Sequence, residues 1–293
     1  MMKLFTSRLL IIAATLALIL TACGGSDEET GTATDGSATG EAVTEESSLE
    51  GELNLVGSTT VQPLAEVLAE SFEALEPGVI VYVQGGGSSV GVRSASDRSA
   101  DIGMASREVK LSELQEYPEL IVHTIARDGI TIVVETGCTV ESLTKEQARQ
   151  IFAGEITNWN EVGGENMIIT VVAREEGSGT RAAFEDMIME DLLVVDNAIL
   201  QPSNGAVRTT ISVTPGTIGF LSFGYIDDQT KAIAIDGVFP TEENASSGEY
   251  SVVRSLNMVT YGEPEEKAGA FLDFVMSEDG QAIVAEEGYL PVI

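Results

Sequence analysis

The sequence has few of the residues that build metal sites and disulfide scaffolds. Its 293 residues include 2 cysteines, 1 histidine and 1 tryptophan. Two cysteines are too few for a disulfide-rich fold, and a single histidine excludes most zinc sites. A hydrolase that uses histidine as its base would depend on His123 alone. We therefore expect no metal site and no cofactor.

Basic residues are also scarce. The chain has 15 lysine and arginine residues against 47 aspartate and glutamate residues, which gives a formal net charge of -32. A nucleic-acid-binding protein needs positive charge to neutralise phosphates, so this balance argues against a nucleic-acid partner. Leucine, isoleucine and valine are plentiful, so the chain is expected to fold around a core. Its length predicts roughly two domains.

Residues 1–22 have the layout of an export signal. Lys3 and Arg8 lie near the start, and residues 9–20 form a mostly apolar run that is too short to span a bilayer comfortably. The run ends in Leu-Thr-Ala before Cys23, which resembles the lipobox of bacterial lipoproteins. This resemblance implies cleavage before Cys23 and lipidation of its thiol. The alternatives are a signal peptide with an incidental cysteine and an uncleaved anchor.

Residues 23–50 are predicted to form a flexible tether. After Cys23 the segment consists mainly of glycine, serine, threonine, alanine and acidic residues, with no basic residue. Such a segment cannot bury enough apolar surface to offset the entropy of ordering. The second cysteine, Cys138, lies in a predicted turn further along the chain. No histidine is near it in sequence, and we interpret it as an inert thiol.

The remaining body alternates strands and helices. Residues 53–56 and 79–83 are apolar, strand-like runs, and residues 61–75 between them carry apolar side chains at helical spacing. A helical segment at 90–96 and a strand at 101–104 follow. This order favours an α/β fold with a mainly parallel sheet and helices on both faces.

Further elements are predicted along the rest of the chain. Residues 121–135 form a long strand-like stretch interrupted at 128–129. Other strands are predicted at residues 168–173, 218–221 and 255–261, and helices at residues 145–153, 180–189, 265–276 and 280–286.

Three segments rich in glycine and hydroxyl residues stand where strands are predicted to end and helices to begin. They are residues 57–60, 85–91 and 174–181, and the third also contains arginine. The first turn of a helix has free backbone N–H groups, and hydroxyl and guanidinium groups add donors. Together the three could hold a phosphate-sized anion. Each alone is explained more simply as a helix cap or a turn, and none matches the nucleotide P-loop.

Asp101 precedes a predicted apolar strand and has two interpretations. It could be a simple surface cap. Alternatively, its carboxylate could accept a hydrogen bond from the P–OH group of phosphate. Sulfate has no such proton, so the unpaired lone pairs would reject it.

With these motifs, the chain from about residue 53 to residue 291 resembles the phosphate-binding proteins of bacterial high-affinity phosphate (Pst) ABC transporters. Residues 151–159, 203–205, 214–219 and 288–291 share the resemblance in the same order. It implies a two-lobed periplasmic-binding-protein-like fold of type II, with mixed sheets flanked by helices and phosphate between the lobes. Two hinge crossings are expected near residues 127–129 and 254–256. One lobe would comprise residues 51–127 and 255–293, and the other residues 128–254.

The resemblance also implies phosphate-binding residues in both lobes. By motif matching, the donors would be Thr59, Thr60, Ser88, Arg174, Ser178, Gly179 and Thr180, and Asp101 would accept the phosphate proton. Further candidates beside them are Ser58, Ser89, Ser106, Arg107 and Glu176, the last of which would orient Arg174.

The function implied by the resemblance is capture of inorganic phosphate for the membrane permease of a phosphate ABC transporter. The protein would be a monomer, held by its lipid anchor at the extracytoplasmic face of the cell membrane. Three alternatives stay open: a receptor for another oxyanion such as sulfate or molybdate, an enzyme such as a phosphatase, and a sensing or adhesion lipoprotein of the same fold. The enzyme is disfavoured because neither Ser88 nor Ser178 has a base nearby in sequence.

Overall fold

The computed structural model describes residues 49–293. The predicted signal peptide, the predicted lipidation at Cys23 and nearly all of the predicted tether lie outside the described residues. The strands are β1 (Gly51–Gly57), β2 (Val79–Gly85), β3 (Ile102–Ala105), β4 (Leu120–Val134), β5 (Ser142–Leu143), β6 (Thr170–Arg174), β7 (Ile199–Gln201), β8 (Thr217–Ser222), β9 (Lys231–Ile235) and β10 (Val253–Tyr261). The α-helices are α1 (Val61–Leu75), α2 (Ser88–Ser96), α3 (Leu111–Glu116), α4 (Lys145–Phe152), α5 (Gly179–Phe184), α6 (Asn204–Val213), α7 (Glu242–Ser247), α8 (Glu266–Val275) and α9 (Glu278–Glu286).

The strands join into one mixed sheet. Its order is β2-β1-β3-β10-β4-β8-β6-β7, with β9 paired to β4 and β5 paired to β9. The outer parts are parallel: β1 pairs with β2 and β3, and β6 pairs with β7 and β8. The centre is antiparallel, because β4 and β10 run against each other and against their neighbours. The α/β class is as predicted, but the sheet is more evenly mixed than the strand and helix order suggested.

Two large hydrophobic cores lie along this sheet. The first core contains Leu55 and Phe72, and Phe72 meets Phe271 edge-on with ring centroids 5.3 Å apart. The second core contains Phe184 and Phe220, whose rings stack at 4.2 Å. Each core buries its own apolar side chains, and we call the parts of the structure around the two cores its two halves.

Strand β4 joins the two cores. It pairs with β10 as far as Gly129 and then, from Ile130 onward, with β8. The sequence predicted an interruption at residues 128–129, and this prediction was wrong: the strand is continuous. Asp128 does not turn the chain, because it lies directly opposite Arg254 on β10 and is fully buried there. The two segments that connect the halves are therefore neighbouring strands.

Helix α1 has the predicted bounds, whereas α6 (Asn204–Val213) was not predicted. Its sequence contains several β-branched residues, which weaken the helical signal. The predicted helix at 180–189 is α5 continued by a π-helical turn at Glu185–Met189. Among the described residues, none of the helices combines the length and the apolar character that crossing a membrane requires.

Candidate anion-binding site

Four helices begin close together between the two cores. Helix α1 starts after Thr60 and α2 at Ser88, beside the first core, whereas α5 starts at Gly179 and α6 at Asn204, beside the second. The two sides touch: Thr60 Oγ1 lies 3.0 Å from Thr180 Oγ1, and Asn204 Nδ2 donates to Thr60 Oγ1 at 2.8 Å. We call the region around these four helix starts the cleft. It gathers backbone N–H groups and hydroxyls, which suit an anion.

Three buried serines form the first-core side of the cleft. Ser58 Oγ accepts hydrogen bonds from the backbone N–H groups of Thr60 at 3.1 Å and Val61 at 3.3 Å, and donates to Ser106 Oγ at 2.9 Å. Ser88 Oγ accepts from the Ser106 N–H at 3.0 Å. Ser58 is thus fully used within the protein. Ser106 and Ser88 lie 3.3 Å apart and keep at least one hydroxyl proton that a ligand can accept.

The loop that precedes α5 approaches these serines very closely. A Cβ atom at Gly179 would lie 2.7 Å from Ser106 Oγ and would collide with Ser88 Oγ. Ser178 Oγ caps α5 by accepting from the Arg181 N–H at 3.2 Å, so its own proton is not required for the cap. Only glycine at position 179 permits this contact between the two sides.

Arg174 supplies the unpaired positive charge of the cleft. It ends β6, and only 2% of it is exposed. Its guanidinium donates to two backbone carbonyls, at 3.2 Å to Gln201 and at 2.8 Å to Pro202. None of the salt bridges within residues 49–293 includes it. Burial, and next the nearby Arg254, lower the pKa of Arg174 to about 10, so it is still charged at neutral pH.

Arg254 is a second buried arginine, and it has a carboxylate partner. Its Nη2 and Nε atoms donate to Asp128 Oδ2 at 2.8 Å and 3.1 Å. The other carboxylate oxygen accepts from the Ser222 hydroxyl at 2.9 Å and from the Phe223 N–H at 3.1 Å. Burial raises the pKa of the Asp128 carboxyl, and the Arg254 guanidinium opposes that rise. This pair is close to neutral and fully hydrogen-bonded.

The Arg254–Asp128 pair also reaches into the cleft. Arg254 Nη1 donates to the Ser106 carbonyl at 3.0 Å, and Nη2 donates to Thr60 Oγ1 at 3.2 Å. Because the pair sits on β4 and β10, the strands that join the halves are tied directly to the cleft hydroxyls. Crossings were predicted near both residues from the sequence, but their contact with the cleft was not. The available signal was a charged residue inside each of two strand-like runs.

Asp101 lies away from the cleft. It precedes β3, whereas Ser106 follows that strand, and five residue steps of a strand cover about 16 Å. Asp101 is exposed, and its Oδ2 atom accepts from the Asn54 N–H at 2.7 Å. The prediction that Asp101 accepts a phosphate proton does not fit this position, because the two ends of one strand lie at opposite edges of the sheet. Its surface-cap interpretation agrees with the structure.

Three other candidates have roles that differ from those implied by the resemblance. Glu176 is exposed and forms no hydrogen bond with Arg174, which is oriented by backbone carbonyls instead. Arg107 lies beside the cleft, but both its Nη atoms donate to Glu113, at 2.8 Å and 2.7 Å. It also donates to Ser89 Oγ at 3.2 Å. The Arg107 charge is therefore already compensated.

Two buried polar atoms in the cleft have no hydrogen-bond partner among the described residues. They are Thr59 Oγ1 and Asn204 Oδ1. Unpaired buried polar groups are costly, so such atoms indicate a place where a ligand completes the structure. Asn204 was noted in the sequence only as part of a family-like motif. Ser203 caps α6 in front of it, which is the same strand, hydroxyl and helix pattern that marked the other three segments.

The described residues offer neither a metal site nor a nucleophile with its base. No group of three or more histidine, cysteine, aspartate or glutamate side chains within residues 49–293 could hold a metal ion. His123 lies on β4, with Nε2 3.0 Å from Thr260 Oγ1, and burial lowers its pKa. Cys138 is half-buried at the edge of the second core, and burial raises its pKa. Neither side chain is hydrogen-bonded to the cleft serines.

The sequence is similar to those of known phosphate-binding proteins. Residues 32–279 match the family model described as a PBP superfamily domain. The chain is 36% identical over 286 residues to the phosphate-binding protein PstS of Bacillus subtilis (strain 168), which covers 97% of this chain and 93% of that protein. It is 28% identical over 252 residues to the PstS protein of Borreliella burgdorferi, covering 82% of this chain and 90% of that protein.

The fold is also similar to solved structures of phosphate-transport proteins. A Clostridium perfringens structure, described as a phosphate ABC transporter substrate-binding protein with bound phosphate, superposes with a TM-score of 0.80 at 36% identity. The aligned region covers 83% of this chain and 100% of the Clostridium perfringens chain. An ABC-type phosphate transport receptor from Vibrio cholerae superposes with a TM-score of 0.69 at 35% identity, covering 81% of this chain and 99% of its own.

Proposed function

The chain belongs to the PstS family of phosphate-binding proteins, and from this premise we propose that it captures inorganic phosphate between two lobes and delivers it to the permease of an ABC transporter. Its fold is the two-lobed periplasmic-binding-protein fold. The relatives are named as phosphate-binding or phosphate-transport proteins, which supports a binding protein and not an enzyme.

One observation carries the proposal: Arg174 is buried between the halves, and within residues 49–293 it forms no salt bridge with a carboxylate. A buried charge without a counter-charge is strongly unfavourable. The hydrogen-bond partners of Arg174 are the carbonyls of Gln201 and Pro202, and neither of them carries a formal negative charge. A bound phosphate anion would supply the missing negative charge and accept hydrogen bonds from the donors of the cleft. Carbonyl contacts fix the guanidinium in place before the ligand arrives, which reduces the entropy lost on binding.

The donors divide into direct and indirect groups. We assign direct contacts to groups that keep at least one proton free: Arg174, Ser178, Thr180, Thr59, and at least one of the Ser88 and Ser106 hydroxyls. Backbone N–H groups at the starts of α1, α2 and α5, including that of Gly179, add to these. Ser58 and Thr60 act through their neighbours, since their hydroxyl groups already bond within the protein.

The proposed lobe boundaries stay those of the sequence analysis, near residues 127/128 and 254/255. They are supported by the two cores, which meet where β4 changes partner from β10 to β8. Closure would bring Thr60 against Thr180 and the Ser89 N–H to the Gly177 carbonyl, at 3.1 Å. These contacts cross the cleft and would form only when the lobes close.

We extend the proposal to the location of the protein. The apolar run at residues 9–20 and the lipobox-like sequence before Cys23 support export and lipid anchoring at the extracytoplasmic face of the cell membrane. Residues of one chain complete the cleft, which supports a monomer as the binding unit.

Calorimetric titration of the purified, phosphate-stripped protein tests the function. We expect 1:1 binding of phosphate and little or no heat with sulfate or molybdate at the same concentrations. If the other oxyanions bind equally well, the proposed ligand would be a broader class of oxyanions and not phosphate alone. The absence of binding to all of them would refute the proposal and favour a sensing or adhesion protein of the same fold.

A further inference from the structure

The hydrogen bonds around Thr60 have a defined direction. Arginine can only donate, so the bond from Arg254 Nη2 to Thr60 Oγ1 occupies one oxygen lone pair. Asn204 Nδ2 donates to the same oxygen at 2.8 Å and occupies the second. The Thr60 proton is then directed to Thr180 Oγ1, 3.0 Å away. The Thr180 proton in turn remains available to a ligand, and the donors in series strengthen one another.

This arrangement leaves the other end of the Asn204 amide unsatisfied. Asn204 is 0% exposed, and its Oδ1 atom has no hydrogen-bond partner among the described residues. The unpartnered buried side-chain atoms of this part of the chain are Thr59 Oγ1, Arg149 Nε, Asn204 Oδ1, Arg208 Nε and Thr230 Oγ1. Of these, only Asn204 Oδ1 is restricted to accepting, since the arginine atoms donate and the hydroxyls can do either.

The nearby carboxylates cannot take this role. Asp128 is linked to Thr60 Oγ1 through Arg254, but its two oxygens already accept four hydrogen bonds. Glu113 is held by Arg107, and Asp101 lies at the opposite end of β3. Among the described residues, the cleft therefore has several free donors and one unpartnered side-chain atom that can only accept, Asn204 Oδ1. The free donors suit the unprotonated oxygens of an anion, and the free acceptor suits a ligand that carries one proton.

We infer that Asn204 is the specificity-determining residue of the cleft, with its Oδ1 atom accepting the hydrogen bond of the phosphate P–OH group. This inference rests on the proposed phosphate-binding function and deepens it. Phosphate near neutral pH keeps at least one proton, whereas sulfate has none. A sulfate oxygen would face the Asn204 lone pairs without a proton between them. A neutral amide oxygen also avoids the full charge repulsion that a carboxylate would exert on the anion.

The test compares anions of similar shape with and without a proton. The full-length protein is titrated with phosphate, with sulfate and with monofluorophosphate, which carries fluorine in place of the hydroxyl group. We expect the wild-type protein to prefer phosphate strongly over both. In Asn204→Ala, the affinity for phosphate should fall about 10- to 100-fold, whereas the affinities for sulfate and monofluorophosphate should fall much less. The preference for phosphate over these two anions should therefore shrink by at least about tenfold.

Two further variants separate an acceptor role from a structural one. Asn204→Asp keeps an acceptor oxygen at the same place, and its preference for phosphate over sulfate should be retained or increased. Thr59→Val removes the unpartnered hydroxyl of the cleft with little change of shape. It should weaken the binding of all three anions by a similar factor. Thermal denaturation without ligand reports the folding of each variant.

Specific results would overturn the inference. One is an equal loss of affinity for all three anions in Asn204→Ala, which would mean that Asn204 only positions Thr60. Another is loss of all binding in Asn204→Asp, which would mean that the amide nitrogen faces the anion. If Asn204→Ala does not fold, Asn204→Asp tests the inference: a retained preference for phosphate over sulfate supports it, and a lost preference overturns it. A wild-type protein that does not bind phosphate refutes the proposed function itself. One that binds phosphate and sulfate equally refutes this inference and widens the proposed ligand to an oxyanion class, while the binding function stands.

Discussion

The cleft around Arg174 and the proposed hinge around Arg254 each bury a guanidinium, and they differ in what surrounds it. Arg254 faces Asp128 across two neighbouring strands, with Nη2 and Oδ2 2.8 Å apart. Among the described residues, the Arg174 guanidinium donates hydrogen bonds to the carbonyls of Gln201 and Pro202 and forms no salt bridge. Burial of a charge therefore does not by itself mark a binding site. The missing counter-charge does, because only the unpaired cation gains strongly from an anionic ligand.

The two regions should respond differently to loss of charge. The hinge pair belongs to the folded structure whether or not ligand is present, so its loss should appear in stability. The cleft arginine awaits a partner, so its loss should appear in affinity. Three substitutions sharpen or break this comparison, in order of decreasing effect.

The largest effect is expected for Arg254→Met. It leaves the buried Asp128 carboxylate without its partner, and should lower the free energy of unfolding by about 3–5 kcal/mol. Urea denaturation of the ligand-free protein measures this. Arg149→Met is the control, because that arginine pairs with glutamates at the surface and should cost less than about 1 kcal/mol. An Arg254→Met protein as stable as this control would contradict the role given to the hinge pair.

Arg174→Met should weaken phosphate binding by about 2–5 kcal/mol, roughly 30-fold to several thousand-fold, because the bound anion loses its main counter-charge. The stability of the ligand-free protein should stay the same or rise, since an unpaired buried charge is removed. Calorimetry and urea denaturation of the same preparation give both values. If Arg174→Met destabilises the free protein as much as Arg254→Met does, the contrast between the two regions is wrong.

The smallest effect is expected for Asp101→Asn. The new amide oxygen can still accept from the Asn54 N–H, and the site is at the far end of β3. Affinities for phosphate and sulfate should each stay within about twofold of wild type, as for a surface substitution away from the ligand. A gain in sulfate binding would restore to Asp101 the discriminating role that its position argues against.

Local sequence patterns predicted much of the fold. Helix α1 and the strands beside it follow from apolar spacing, and the helix starts that line the cleft follow from glycine and hydroxyl residues at strand ends. Helix α6 was missed because its β-branched residues weaken the helical pattern. The continuity of β4 was missed because Asp128 followed by Gly129 is typical of a turn. Only the contact with Arg254 on a strand more than a hundred residues later explains a buried aspartate there.

The sequence by itself determined that this is an acidic α/β protein whose helix starts are rich in hydrogen-bond donors, because these properties depend on neighbouring residues. Only the tertiary structure decided which groups meet. It placed Asp101 away from the cleft, gave Arg254 a carboxylate partner and, among the described residues, gave Arg174 none. It also left the Asn204 amide oxygen as the free acceptor. These outcomes depend on strand direction and on contacts between distant segments, which a linear pattern of residue types does not specify.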